Sequence, residues 1–135
     1  MLGLAAKTRT EGIEAAAEIA AISNFPLQGT VESELRQSVR EAVASCDAES
    51  YARACEAIAG LDHLDPDYSL ISAPTLFLTG SGDMISPPER SVGLQELIGD
   101  NAWVNILDGV GHQVILQNLE GSIEAIETLL QKIDR

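Results

Sequence analysis

The sequence predicts an α/β fold in two parts, a helical segment over residues 1–61 and a β-α-β-α segment over residues 62–135. Three observations carry that prediction. Pro74-Thr75-Leu76-Phe77-Leu78-Thr79 is an apolar run too short for a typical helix and closed by Gly80, which favours a buried strand. Residues 102–107, Ala to Leu, form a second such run and lead into Gly109-Val110-Gly111-His112. Helical patterns follow each run, and the order strand, helix, strand, helix implies a parallel pair with a right-handed crossover.

From the N-terminus, residues 7–22 read as one helix, with Thr10 as a cap and Ile13, Ala16, Ala17 and Ala20 on one face. Ser23 to Gly29 is a loop broken by Pro26 and Gly29. Thr30 and Glu34 open a second helix, whose Leu35, Val39 and Val43 recur at four-residue steps. Asp47 caps a third that runs to about Ala59, with Tyr51, Cys55 and Ile58 on its inner side and Gly60 as its stop. Asp62 to Tyr68 is a polar linker. After the first strand, Pro87 and Pro88 precede a helix over 89–98 with Val92 and Leu97 facing inward. The last helix, over 119–133, carries Ile123, Ile126, Leu129, Leu130 and Ile133 as its apolar stripe.

At 135 residues the chain is one ordinary domain or a piece of a larger one. Its 45% hydrophobic and 21% charged residues suit a globular protein rather than a disordered one. A net charge of −13 argues against nucleic acid as a partner, since nothing offsets repulsion from the phosphates. No basic stripe offers itself to an anionic membrane, and no apolar run approaches the roughly 20 residues of a span. Cys46 and Cys55 lie nine apart, which fits neither a short zinc pair nor a disulfide framework. They read as small core or lid residues in a reducing compartment. Met1 to Lys7 has no signal-peptide pattern, so the expectation is a cytoplasmic protein.

The chemistry gathers at two loops. The first strand delivers Gly80-Ser81-Gly82-Asp83 and the second delivers Gly111-His112, an acid and then an imidazole, each from a Gly-rich turn. In an open α/β sheet, sites form outside the C-terminal ends of the strands. Acid followed by histidine is also the second half of the chain order nucleophile, acid, base. The first half of that order is missing, because no serine or cysteine sits in a Gly-x-Ser-x-Gly turn.

Together these features resemble the C-terminal part of an α/β-hydrolase, nearest to the enol-lactonase-like and esterase-like branch. Ser72-Ala73-Pro74 to Gly80 resembles the family's penultimate strand, entered through a proline. Gly80-Ser81-Gly82-Asp83-Met84-Ile85-Ser86-Pro87-Pro88 resembles its acid loop, and Gly111-His112 the loop of its triad histidine. Tyr51 to Ile58 and Glu11-Gly12-Ile13 resemble helices of its cap. The resemblance implies that residues 1–61 are a helical cap, and that Asp83 and His112 are the acid and base of a Ser-Asp-His triad. It also implies that the first strands, the oxyanion loop and the nucleophile elbow precede residue 1. One departure is Gln117-Asn118-Leu119-Glu120, where the family often has Glu-x-Pro.

Plainer roles fit the neighbouring residues. Ser81 and Ser86 flank Asp83 but satisfy loop backbone groups better than they serve as nucleophiles. Asp108 is a turn residue, or a second acid near His112. Asp62, Asp65 and Asp67 lack the glycine and terminal glutamate of a calcium loop. Tyr51 and Trp103 read as packing. A metal site from His112, Asp83 and His63 has no ligand pair at i, i+4 spacing, so neither metal nor cofactor is expected.

Two functions remain open. One is the acid- and base-bearing portion of a hydrolase of carboxylic esters or lactones, inactive alone for want of a nucleophile. The other is a non-catalytic interaction module, in which a protein partner, or the missing N-terminal half, covers the open sheet edge.

Overall fold

Gly12 interrupts what the sequence reads as one helix. The computed structural model describes residues 1–27, 31–60 and 64–133. In it α1 spans Leu2–Glu11 and α2 spans Ile13–Ser23. Between them Gly12 takes φ 88°, a left-handed conformation that costs glycine little and other residues more. Thr10 therefore lies inside α1, where its hydroxyl bonds back to the carbonyls of Ala6 and Lys7 rather than capping. Ala16, Ala17 and Ala20 are buried as the pattern requires, while Ile13 is only half-buried.

Helix α3 covers Ser33–Ala44 and α4 covers Ala48–Ala59. Val39 is buried, and Asp47 caps α4 by accepting the Ser50 N–H at 2.8 Å, both as expected. Thr30, Asp62 and His63 lie outside the described residues. Asp67 caps a short 3-10 turn, Tyr68–Leu70, that starts at the end of what reads as linker.

The chain divides into two compact units, Met1–Ile22 with Glu32–Asp65, and Ser23–Val31 with Pro66–Arg135. In the first unit α1 packs on α4 through small side chains, Ala5, Ala52 and Cys55, with Leu4 and Tyr51 alongside. Cys55 is thus core, but Cys46 is exposed, and both are free thiols. Ile58 is 69% exposed rather than inward, because Ala52 and Cys55 occupy the contact face.

An ion cluster ties the same two helices. The Arg9 guanidinium bonds Glu49 at 2.8 and 3.1 Å, and also bonds Glu56. Arg53 adds a second cation to Glu49 at 2.9 Å. The Arg9 hydrogen bonds, then those of Arg53, pull the Glu49 carboxyl down to about 2, and Arg9 lowers Glu56 as well. A depressed carboxyl stabilises the fold fully above its ordinary value of 4.5, and that contribution fades as pH falls through about 2. Arg9→Ala should therefore lower the melting temperature at neutral pH. Circular dichroism melts taken down a pH series should show the gap from wild type closing below pH 4.5. A gap independent of pH would mean that Arg9 contributes packing only.

In the second unit β1, Thr75–Gly80, pairs parallel with β2, Ala102–Leu107, in the register Thr75↔Ala102 through Gly80↔Leu107. Helix α5, Pro88–Ile98, connects them and packs on both strands. Short α6, Val114–Gln117, and long α7, Leu119–Ile133, follow, and α7 packs on β1. The Lys132 ammonium sits over the Trp103 ring, 4.7 Å from its centroid. The two strands, their parallel pairing, the connecting helix and the last helix match the sequence reading. The inward assignments on α5 do not, since Val92 and Leu97 are exposed; the apolar stripe of α7 is present but Ile123, Ile126, Leu130 and Ile133 in it are exposed. What α7 buries is Ser122 and Ala125.

Candidate active site

Equal register brings the ends of β1 and β2 level, so the loops after Gly80 and Leu107 leave the sheet side by side. Backbone bonds stitch them together, Ser81 N–H to Leu107 O at 2.9 Å and Gly82 N–H to Val110 O at 2.8 Å. A turn closes when the Asp83 N–H reaches Gly80 O at 3.1 Å. The Asp83 side chain then points inward and is only 5% exposed.

A carboxylate buried that far needs its lone pairs met. Oδ1 accepts the backbone N–H of Ile85 at 2.8 Å and of Ser86 at 2.9 Å. Oδ2 lies 2.8 Å from His112 Nδ1. One carboxylate thus shapes the turn and orients the imidazole. The His112 side chain is 37% exposed, and with Nδ1 facing Asp83 its Nε2 edge is the one a reacting group would meet.

The neighbours sort themselves by their bonds. Ser81 Oγ donates to Asp108 Oδ1 at 3.1 Å and accepts the Gly109 N–H at 2.8 Å. Its hydroxyl is a strut between the two loops, and Asp108 bonds that strut rather than His112. Ser86 meets Asp83 through its backbone. Tyr51 packs within the first unit, and Trp103 lies against Lys132 near the start of β2, at the opposite end of the strand from these loops. An open cavity of about 450 Å³ adjoins Asp83, walled by Pro26, Leu27, Ser81, Met84 and Asp108 among others. Among the described residues no three His, Cys, Asp or Glu side chains converge as metal ligands.

Three amide side chains that sequence reasoning passed over reach the histidine loop. Asn24 and Gln113 bond each other, and Gln117 Oε1 accepts the Gly111 N–H at 2.9 Å. No short-range pattern marks them, because their partners are loop backbone or a distant amide.

No protein-family model and no curated protein matches the chain. Solved structures do. A thermophilic esterase from Thermogutta terrifontis, solved with malate bound, is 27% identical with a TM-score of 0.78 over 96% of this chain and 48% of its own. A second thermophilic esterase is 21% identical, with a TM-score of 0.76 over 98% of this chain and 51% of its own. A bromoperoxidase from Bacillus anthracis is 18% identical, with a TM-score of 0.79 over 96% and 47%. The chain spans about half the length of the solved structures it matches. It has the fold of the C-terminal half of the α/β-hydrolases.

Proposed function

We propose that this chain carries the acid and base of a serine hydrolase of the enol-lactonase-like and esterase-like branch, with a carboxylic ester or enol-lactone as substrate. The observation that carries the reading is the 2.8 Å contact between Asp83 and His112 on adjacent loops at one end of a parallel sheet. Similarity to an esterase over nearly the whole chain supports the reaction class. The first unit is the cap, and the nucleophile and oxyanion donors come from sequence outside these residues.

In the assembled enzyme His112 Nε2 takes the proton of the serine hydroxyl as it attacks the ester carbonyl, then returns it to the leaving alcohol. Asp83 holds the proton on Nδ1 and stabilises the imidazolium that forms. Base catalysis of this kind is worth roughly 10²- to 10⁴-fold. Oxyanion donors supply a further large part, and they lie with the nucleophile. Reading the DNA upstream of Met1 tests the proposal. It expects an in-frame extension that encodes a Gly-x-Ser-x-Gly segment; an extension without any nucleophile elbow would contradict it.

A second reading, a non-catalytic interaction module, draws on a different observation. Leu119, Ile123, Ile126, Leu130 and Ile133 form an exposed apolar row along α7, beside a sheet of only two strands among the described residues. Such a face is a docking surface or an aggregation hazard. The N-terminal half of a hydrolase would cover it, and a partner protein would be the alternative. Catalytic need separates the two: His112→Ala abolishes the function of an enzyme and leaves a docking module intact.

A further inference from the structure

The segment between α2 and α3 contributes to the histidine loop from far away in sequence, and Asn24 is where it does so. The Asn24 carbonyl accepts the His112 N–H at 2.9 Å. Its side-chain Oδ1 accepts from Gln113 Nε2 at 2.7 Å, across 89 positions of sequence. On the opposite flank Gln117 Oε1 takes the Gly111 N–H at 2.9 Å. Three consecutive residues, Gly111, His112 and Gln113, are thus each anchored by a different bond. The fit is close as well: a Cβ on Gly111 would come within 2.8 Å of Asn24 O and of Phe25 Cα. Asn24 is nine-tenths buried and Phe25 completely so, and their segment groups with the second unit.

We propose that Asn24 is a positioning residue for His112. The inference rests on the reading of His112 as the base. The imidazole meets Asp83 Oδ2 only if its Cα is held in place, because a ring on a mobile loop spends its time in other rotamers. Misplacement of a reacting group by about 1 Å can cost on the order of 10²-fold in rate. The backbone bond to Asn24 O fixes where His112 stands, and the amide–amide bond to Gln113 keeps the two strands of chain in step. Asn24→Ala removes the second bond and loosens the first. Asn24→Asp keeps an oxygen acceptor for Gln113 Nε2.

Proton NMR of the whole chain tests this without any need for turnover. Wild type should show a low-field Hδ1 resonance from His112 bonded to Asp83, assigned by its disappearance in Asp83→Asn. In Asn24→Ala that resonance should be lost, and exchange of the His112 backbone N–H should rise about two- to tenfold, the effect of one ordinary hydrogen bond. Amides of the β1–β2 ladder should keep their rates, which separates local release from general destabilisation. Gln113→Ala should reproduce the loss, and Asn24→Asp should restore the resonance. An undiminished resonance in Asn24→Ala, or ladder amides that accelerate equally, would overturn the positioning role while leaving the Asp83–His112 pair standing. A wild-type chain with no such resonance would overturn the pair, and the proposed function with it.

Discussion

Under the proposed function, His112→Ala and Asp83→Asn in the extended protein should each lower kcat by on the order of 10⁴-fold or more while KM changes little, as loss of a triad member does. Asparagine is the informative substitution at residue 83. Its carbonyl can still accept the Ile85 and Ser86 N–H groups that Oδ1 now holds, so the turn survives. Its amide, placed where Oδ2 meets His112 Nδ1, donates instead of accepting. The imidazole must then carry its proton on Nε2, and the nitrogen that should take the serine proton is blocked. Asp83→Ala is a poorer test, since it also removes the two bonds to the Ile85 and Ser86 N–H groups, at about 0.5–1.5 kcal/mol each. Steady-state kinetics on an aryl ester, with unfolding curves beside them, separates the effects. A kcat within about tenfold of wild type for Asp83→Asn would remove Asp83 from the chemistry.

Phe25→Ala should be the most damaging substitution for the second unit, at about 3–5 kcal/mol. Phe25 is fully buried, and its backbone lies against Gly111. Deleting a fully buried ring leaves a cavity, and the close backbone packing of Phe25 on Gly111 limits its collapse. Such a loss is a large share of the roughly 5–15 kcal/mol that holds a typical domain together. Trp103, the single tryptophan, lies on β2 in the same unit, so its fluorescence in a urea titration reads the relevant transition. A change below about 0.5 kcal/mol, the scale of an ordinary surface substitution, would mean that Phe25 is not structural.

The parts of this fold that were legible in the sequence are those with local causes. Both strands announce themselves, because each is a short, largely apolar run closed by a turn: β1 enters through Pro74 and ends at Gly80, and β2 runs into Asp108-Gly109. Asp47 is recognisable as a cap because a carboxylate ahead of a helical run meets an orphan N–H of the first turn. Asp83 and His112 were legible as a pair from their places after successive strands, and parallel register brings them together.

The misreadings have physical reasons too. Gly12 sits among residues of high helix propensity, which hides a break that depends on its own backbone angle. Ile58, Val92 and Leu97 lie on apolar faces, and periodicity finds such a face without saying what covers it. Asn24 and Gln113 left no trace, because two amides joined across 89 positions have no short-range pattern. The 3-10 turn at Tyr68–Leu70 escaped notice at the end of a polar stretch whose acids suggest only a linker.

The most direct measurement is hydrolysis of a short-chain aryl ester by this chain alone and by the same chain extended through the upstream reading frame. The account predicts turnover by the extended protein, lost in His112→Ala, and none above background for the chain alone. Turnover by the chain alone that disappears in both His112→Ala and Ser81→Ala would contradict it, for the nucleophile would then lie within these residues.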